Sequence, residues 1–460
     1  MRSAVLPGAS DTIVAQATAG VRSALAVIRM SGPDAHGIGA TVLTPWHATP
    51  RRAFLASLHD PGSGKEIDQA IVTIFSAPAS FTGEDMVELS LHGGEIGPSL
   101  AMNALLACGA RQALPGEFTR RALLNGKLDL LQAEAVADLV DSRSRAMHDV
   151  ALGQLAGHLS ARLDALRTQI IELEALLAYD VDFPEEDDGP IAASQIEDGT
   201  RRVLAMLDGL LATSATGELV RSGATVVIAG VPNAGKSSLF NALAGTQRAI
   251  VTDVPGTTRD ALEAMLDIGP WPVRLVDTAG LRASTDAIER LGIEVAERYL
   301  KHAAIVLVCG EDARSITLTL EHVRPLTRGS LIVAGTKSDT GRAPESLGLD
   351  ENLPYVRVSA RTGEGLAALL DRIAETLNNE HEPTSATNPV LTRERHRAAL
   401  TKARSEVAAF LQNCVSESAL PATLAAVHLY SARGFLEELV GTVDVEDVLD
   451  RVFSAFCVGK

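Results

Sequence analysis

Gly230-Val231-Pro232-Asn233-Ala234-Gly235-Lys236-Ser237-Ser238-Leu239 is the stretch that decides the fold. A short apolar run, Thr225-Val226-Val227-Ile228-Ala229, precedes it with the length and β-branching of a buried strand. Ser237 to Leu243 reads as a helix after it. Strand, Gly-rich loop, Lys, Ser and helix in that order form a phosphate-binding loop. Its glycines let backbone N–H groups converge on phosphates, and the helix start adds partial positive charge. Lys236 reaches the terminal phosphates and Ser237 is a Mg²⁺ ligand in this reading.

Four further signals follow in the order that a guanine-nucleotide domain requires. Thr252-Asp253-Val254-Pro255-Gly256-Thr257-Thr258-Arg259-Asp260 is a polar loop that can supply a second Mg²⁺ ligand and sense a γ-phosphate. Asp277-Thr278-Ala279-Gly280 ends the apolar strand from Pro272 to Val276 and suits the Mg²⁺ water shell and a γ-phosphate contact. Thr336-Lys337-Ser338-Asp339 ends the strand from Leu331 to Ala334, and the Asp339 carboxylate can accept the two N–H groups that guanine presents and adenine lacks. Ser359-Ala360-Arg361 ends the strand from Tyr355 to Val358 and closes over the base. Leu281 stands where a water-orienting Gln stands in Ras-type domains, so another group must position the attacking water. Arg259 and Arg282 are candidates for a stabilising arginine. Asn233 offers a side-chain carbonyl for a monovalent cation beside the phosphates, or it is a turn residue.

Around this domain, 460 residues allow about three domains. With 46% apolar and only 3% aromatic residues, the cores must be aliphatic. A net charge of −17 argues against an autonomous nucleic-acid binder, because phosphate contacts need clustered Lys and Arg. Cys108, Cys309, Cys414 and Cys457 lie far apart without metal-ligand spacing, which suits a reducing cytoplasm. No apolar run reads as a membrane span and no signal segment opens the chain, so a soluble cytoplasmic protein is expected.

Residues 1–121 read as mixed α and β, with strands over Ala24–Met30, Ala53–Leu58, Gln69–Phe75 and Met86–Leu91. Val87, Leu89 and Leu91 alternate with Glu88, Ser90 and His92, so one face is core. Pro98 to Ala107 looks helical. The polar stretches Pro115 to Arg121 and Leu124 to Leu130 suggest either a site or the capping of the next helix. Residues 122–217 read as helical, with Leu155, Leu159, Leu163, Leu166, Ile170, Leu173 and Leu177 on one stripe. The acidic run Asp180 to Pro190 is a cation site or, more simply, a solvated loop. A second helix spans Ser194 to Ala212, and Thr213–Gly217 and Glu382–Ser385 read as hinges. The α/β nucleotide domain, 218–380, therefore reads as inserted into a helical domain whose second part is 381–460. In that second part, Ala403, Val407, Phe410 and Cys414 share a face.

The chain resembles the bacterial and organellar tRNA modification GTPase family known as MnmE or TrmE. The likeness rests on Asp11-Thr12-Ile13-Val14-Ala15, Ile28-Arg29-Met30-Ser31-Gly32, and Phe81-Thr82-Gly83-Glu84-Asp85 leading to His92-Gly93-Gly94. Pro115-Gly116-Glu117-Phe118, Asn125-Gly126-Lys127-Leu128-Asp129, the nucleotide domain and the terminal Phe456-Cys457-Val458-Gly459-Lys460 complete it. The resemblance implies an α+β N-terminal domain of folate-binding type that also mediates homodimerisation. It implies a bound tetrahydrofolate derivative (5-formyl or methylene) contacted by Arg29, Glu88, Lys127 and Lys460. It further implies K⁺-stimulated GTP hydrolysis, with Asn233, Thr252, Val254 and Thr257 around K⁺, Ser237 and Thr258 on Mg²⁺, and Glu289 orienting water indirectly. With the FAD protein MnmG (GidA), such a protein adds an aminomethyl-type group to C5 of the wobble uridine of certain tRNAs. Cys457 is then a participant in the chemistry or a packed thiol. Thr336 departs from the Asn usual in the family, and Ala19–Ser23 is less Gly-rich than usual. Two other readings are a GTP-switched ribosome or RNA assembly factor and a folate-dependent one-carbon transferase regulated by its nucleotide domain. The first typically carries a basic RNA-binding module, which this chain lacks.

Overall fold

The structure is a computed structural model that describes residues 11–182, 193–246, 262–277, 297–345, 353–381, 389–415, 422–441, 453, 456, 458 and 459. It separates into two compact units, 1–137 with 437–460, and 138–436.

In the first unit the described elements are β1 (Ile13–Gln16), β2 (Leu25–Ser31), α1 (Ala35–Val42), β3 (Leu43–Thr44), β4 (Phe54–His59), β5 (Glu66–Phe75), β6 (Met86–His92), α2 (Gly97–Ala107), β7 (Arg111–Gln112), α3 (Glu117–Leu124) and α4 (Leu130–Asp141). The strands form one sheet in the order β3-β4-β5-β6-β2-β1-β7. This is the α+β domain expected of the N-terminal region, although the expected boundary at residue 121 falls inside α3. The alternation on β6 is realised, with Val87, Leu89 and Leu91 buried in the core under α1 and α2. Ile13, Ala15, Met86, Ala113 and Phe118 pack on a second, smaller cluster. The chain's last residues belong to this unit. Phe456 packs with Phe453 and Ala133, and Val458 forms a β-bridge with Pro115. Gly459 sits so close to β1 that a Cβ there would lie 2.6 Å from the Gln16 carbonyl oxygen.

The second unit holds α5 (Arg145–Leu155), α6 (His158–Asp182), α7 (Ala193–Ala212), α8 (Ser214–Ser222), β8 (Ala224–Gly230), α9 (Lys236–Thr246), β9 (Leu262–Ile268), β10 (Trp271–Asp277), β11 (Ile305–Gly310), α10 (Ala313–Val323), β12 (Ser330–Gly335), β13 (Tyr355–Arg357), α11 (Leu366–Glu380), α12 (Glu394–Val415) and α13 (Ala422–Val440), with the last turn of α13 assigned to the first unit. Its sheet runs β13-β12-β11-β8-β10-β9, parallel except for the β9 edge. Strand β8 is buried on both faces, as a central parallel strand must be. Val226 and Ile228 enter one core, and Val227 and Ala229 the other.

Helices that flank this sheet domain in sequence pack on each other, α7 against both α6 and α12. Gln154 donates to the Val390 carbonyl at 3.1 Å, and Arg393 pairs with Asp138 at 2.6 Å. Val150, Val220 and Val390 share a small core. The leucine stripe divides at Ala156–Gly157, so Leu155 ends α5 and the rest line α6. Residues Ser194–Ser222 are long and apolar enough by length and composition to cross a membrane, which the sequence reading did not register. Val203, Leu207 and Leu210 within this stretch are buried, as is 33% of its most apolar window.

Thr213–Gly217 is not the expected hinge but the start of helix α8. The Thr213 hydroxyl accepts the Leu391 N–H at 3.1 Å, and Gly217 lies against the Leu391 carbonyl. Small residues serve close approach here rather than flexibility. The acidic run beyond Asp182, the hinge at 382–385 and residues 442–452 lie outside the described residues.

A Cβ at Gly217 would stand 2.1 Å from the Leu391 oxygen. Gly217→Ala is therefore expected to destabilise the second unit by about 1–3 kcal/mol, read as a lower midpoint in denaturant unfolding at unchanged slope.

Candidate functional site

The C-terminal ends of the parallel strands carry the site, where open α/β sheets bind ligands. After β8 the chain turns through Val231–Gly235 and enters α9 at Lys236. Asn233 has φ +61° and Gly235 φ +85°, the left-handed turns that curl a backbone around phosphates. Asn tolerates that region better than most residues, so the turn role of Asn233 is real. Its side chain is exposed and remains available to a ligand.

Lys236 is buried and donates to the carbonyls of Gly230 (2.9 Å) and Val231 (3.0 Å), which holds its ammonium at the loop. The Ser237 hydroxyl donates to the Asp277 carboxylate at 2.7 Å. Two motifs forty residues apart thus place a hydroxyl and a fully buried carboxylate together. These hard oxygens fit Mg²⁺, which also takes phosphate oxygens and water. Cys309 walls this corner, and burial pushes its thiol up to about 12, so it stays protonated.

The base-reading side is tied to the phosphate loop. The buried Thr336 hydroxyl donates to the Ala234 carbonyl at 2.7 Å. Lys337, itself at φ +57°, donates to the Asn233 carbonyl at 2.9 Å and to Glu311 at 2.7 Å. The Lys337 ammonium holds the Glu311 carboxyl below its ordinary range. Asp339 accepts from the Ser359 hydroxyl at 2.8 Å and pairs with Arg361 at 2.7 Å. The Ser359 hydroxyl, then Arg361, keep Asp339 ionised well below the usual carboxylate range. Gly235, Ser238, Thr336, Asp339, Ala360 and Arg361 are among the walls of a cavity of about 310 Å³.

Glu311 escaped the sequence reading. Its signal was positional, since it directly follows the buried parallel strand β11, where site residues collect. Thr252, Asp253, Val254, Pro255, Gly256, Thr257, Thr258, Thr278, Ala279, Gly280 and Glu289 lie outside the described residues, as do Leu281, Arg259 and Arg282.

In the first unit, Arg29 and Glu88 face each other on β2 and β6 and form an ion pair at 2.8 Å. Lys127 instead donates to the Pro78 carbonyl at 3.1 Å, beside Gly83. Two of the motifs meet there, because Asn125 donates to the Thr82 carbonyl at 2.7 Å. The terminal segment reaches Gln16, which pairs with Ile28 beside Arg29. Cys457 and Lys460 lie outside the described residues.

Much of the remaining polar density in these motifs is structural. Arg111 binds Asp11 (2.9 Å) and Glu117 (2.6 Å). Arg121 binds Glu117 and Glu84, both at 3.1 Å, and Glu84 also accepts from Ser31. Glu117 and Arg121 are buried.

Sequence comparison accords with this geometry. Residues 12–127 match the family described as GTP-binding protein TrmE N-terminus, and residues 130–457 match the MnmE helical domain. Curated relatives named tRNA modification GTPase MnmE cover 98% of this chain. Those from Moorella thermoacetica and Chloroflexus aurantiacus are each 40% identical, over 99% and 100% of their own lengths. The one from Aquifex aeolicus is 39% identical over its full length. The chain belongs to the MnmE family. Among solved structures, the G domain of the T. maritima FeoB iron transporter is 29% identical over 33% of this chain and 97% of its own, at a TM-score of 0.28.

The buried ion network makes a pH prediction. Burial raises the Glu117 carboxyl, but bonds from Arg111 and the Leu114 N–H outweigh it and leave it below 4.5. Arg111 likewise holds Asp11 below 3.8. Depressed folded values contribute stability that is present above the unfolded values and lost as pH falls through the folded ones. Unfolding free energy is therefore expected to fall as pH drops below about 4.5, the unfolded value of a Glu, and Glu117→Gln should flatten part of that slope. Arg121→Ala, which removes one of the two arginines on buried Glu117, should cost about 1–3 kcal/mol at pH 7.

Proposed function

We propose that this chain hydrolyses GTP with stimulation by K⁺. With an FAD-containing partner of the MnmG (GidA) type, it adds an aminomethyl-type (carboxymethylaminomethyl) group to C5 of the wobble uridine, position 34, of certain tRNAs. The observation that carries the GTPase half is the joining of the phosphate loop, Asp277 and the Asp339 pocket on one sheet edge. Family membership over the whole chain supports the tRNA half.

In this reading Lys236 exchanges its loop carbonyls for terminal phosphate oxygens. Ser237 and Thr258 hold Mg²⁺, with Asp277 behind Ser237. Bound there, Mg²⁺ would neutralise phosphate charge and K⁺ would supply the positive charge that an arginine otherwise brings to the transition state. Asn233, Thr252, Val254 and Thr257 surround K⁺, and Glu289 positions the attacking water in the place left by Leu281. Asp339 reads guanine, and Ser359–Arg361 close over it. Thr278, Ala279 and Gly280 contact the γ-phosphate side.

The N-terminal domain takes a tetrahydrofolate derivative as the one-carbon source, through Arg29, Glu88, Lys127 and Lys460. Cross-strand placement of Arg29 and Glu88, and a chain terminus delivered beside them, support this. Arg29 is then positioned by Glu88 to meet an anionic part of the folate. We further propose a homodimer formed through this domain, a cytoplasmic location, no membrane association, and a nucleotide domain inserted into one helical domain. The packing of α7 on α12 across the intervening nucleotide domain in sequence supports the insertion.

GTP turnover should be at least tenfold faster in KCl than in NaCl at equal ionic strength, and equal rates would remove the K⁺ assignment. Asn233→Gly is the cleaner variant, because glycine keeps the left-handed backbone while deleting the side-chain oxygen. It should lose K⁺ stimulation while GDP affinity changes less than about threefold, on the order of half a net hydrogen bond.

A further inference from the structure

The proton of Thr336 is already committed. We infer that Thr336 gives no proton to purine N7, so that this chain reads guanine from its N1 and 2-amino edge without that contact. The inference rests on the guanine-nucleotide reading above and deepens it.

Asp339 and Thr336 line the same cavity, three residues apart at the end of β12. Asp339 is an acceptor, matched to the N1–H and 2-amino groups of guanine. Thr336 stands at the end of the cavity nearest the phosphate loop, because its hydroxyl donates to the Ala234 carbonyl and a Cβ at Gly235 would lie 3.6 Å from its own Cβ. A purine with its N1 edge on Asp339 and its ribose toward the phosphate loop turns its five-membered ring, which carries N7, to that end.

N7 only accepts, so reading it requires a donor. A threonine hydroxyl has one proton. Here that proton goes to the Ala234 carbonyl at 2.7 Å, with Thr336 3% and Ala234 2% exposed. Its remaining lone pairs would meet another lone pair at N7. Rotating the proton toward N7 would strip the Ala234 carbonyl of this donor inside the fold, where an unmet group costs more than a new bond returns. An asparagine at 336 would escape the conflict, because its amide has two protons and an oxygen.

Three neighbouring side chains are turned to other partners. Lys337 directs two of its three ammonium protons to the Asn233 carbonyl and to Glu311, and Thr340 donates to the Lys337 carbonyl. Arg361 sits on Asp339. Ser238 also lines the cavity, from the first turn of α9.

The test is competition of GTP, 7-deaza-GTP, ITP and ATP against a fluorescent GDP analogue on the full chain. GTP and 7-deaza-GTP should agree within about twofold. ITP, which lacks the 2-amino group, should bind at least tenfold more weakly, the equivalent of one charge-assisted hydrogen bond. Thr336→Asn should create a preference for GTP over 7-deaza-GTP of several-fold to about tenfold. A tenfold preference for GTP over 7-deaza-GTP in the unaltered chain would overturn the inference, and needs no variant to fold. ATP competing as well as GTP would instead overturn the guanine reading itself.

Discussion

Strand β8 is buried on both faces in the middle of a parallel sheet, and the rest of the second unit follows from that constraint. A strand so placed must be apolar throughout and must pair on both edges. Its partners, β10 and β11, run parallel to it, so their polar continuations emerge at the same end. Parallel pairing of β11 with β12 and of β12 with β13 extends the row. Asp277, Glu311, Thr336 and Ser359 are therefore neighbours of the phosphate loop because of strand direction, before any side chain has made a contact.

Side-chain bonds then lock the row into a site. The phosphate loop and the base-reading segment each contain a non-glycine residue in the left-handed region, Asn233 and Lys337. Such residues are held by their surroundings. Here they are joined to each other by the bond from Lys337 to the Asn233 carbonyl, with Thr336 on Ala234 beside it. The loop after β8 and the segment after β12 are thus tied to each other by two hydrogen bonds. Asn233 serves both as the backbone acceptor of one of them and, in the proposed mechanism, as a cation ligand through its side chain.

Local order carried most of what the sequence disclosed. Strands β6, β8, β10 and β12 were legible from apolar runs and alternation, and α9 from the loop before it. What escaped depends on distant partners. Thr336 and Ala234 are 102 residues apart, and Arg111 and Asp11 are 100 apart. No periodicity signals such pairs. The density of polar residues from Pro115 to Arg121 looked like a site partly because a buried ion network has the same composition as one. Thr213–Gly217 was misread for a related reason. Small polar residues favour turns, but contact with Leu391 selects helix, and packing overrides propensity.

In the proposed function two chemistries fall in two different units: GTP hydrolysis at the end of β8, and one-carbon chemistry at the sheet that carries Arg29 and Glu88. The central claim is that the first serves the second on tRNA. It is tested most directly by nucleoside analysis of tRNA from a strain lacking this chain, complemented with the native chain or with Lys236→Ala. The account predicts unmodified C5 at the wobble uridine in the deletion strain, restoration by the native chain, and no restoration by the variant. Full modification in the deletion strain would contradict it.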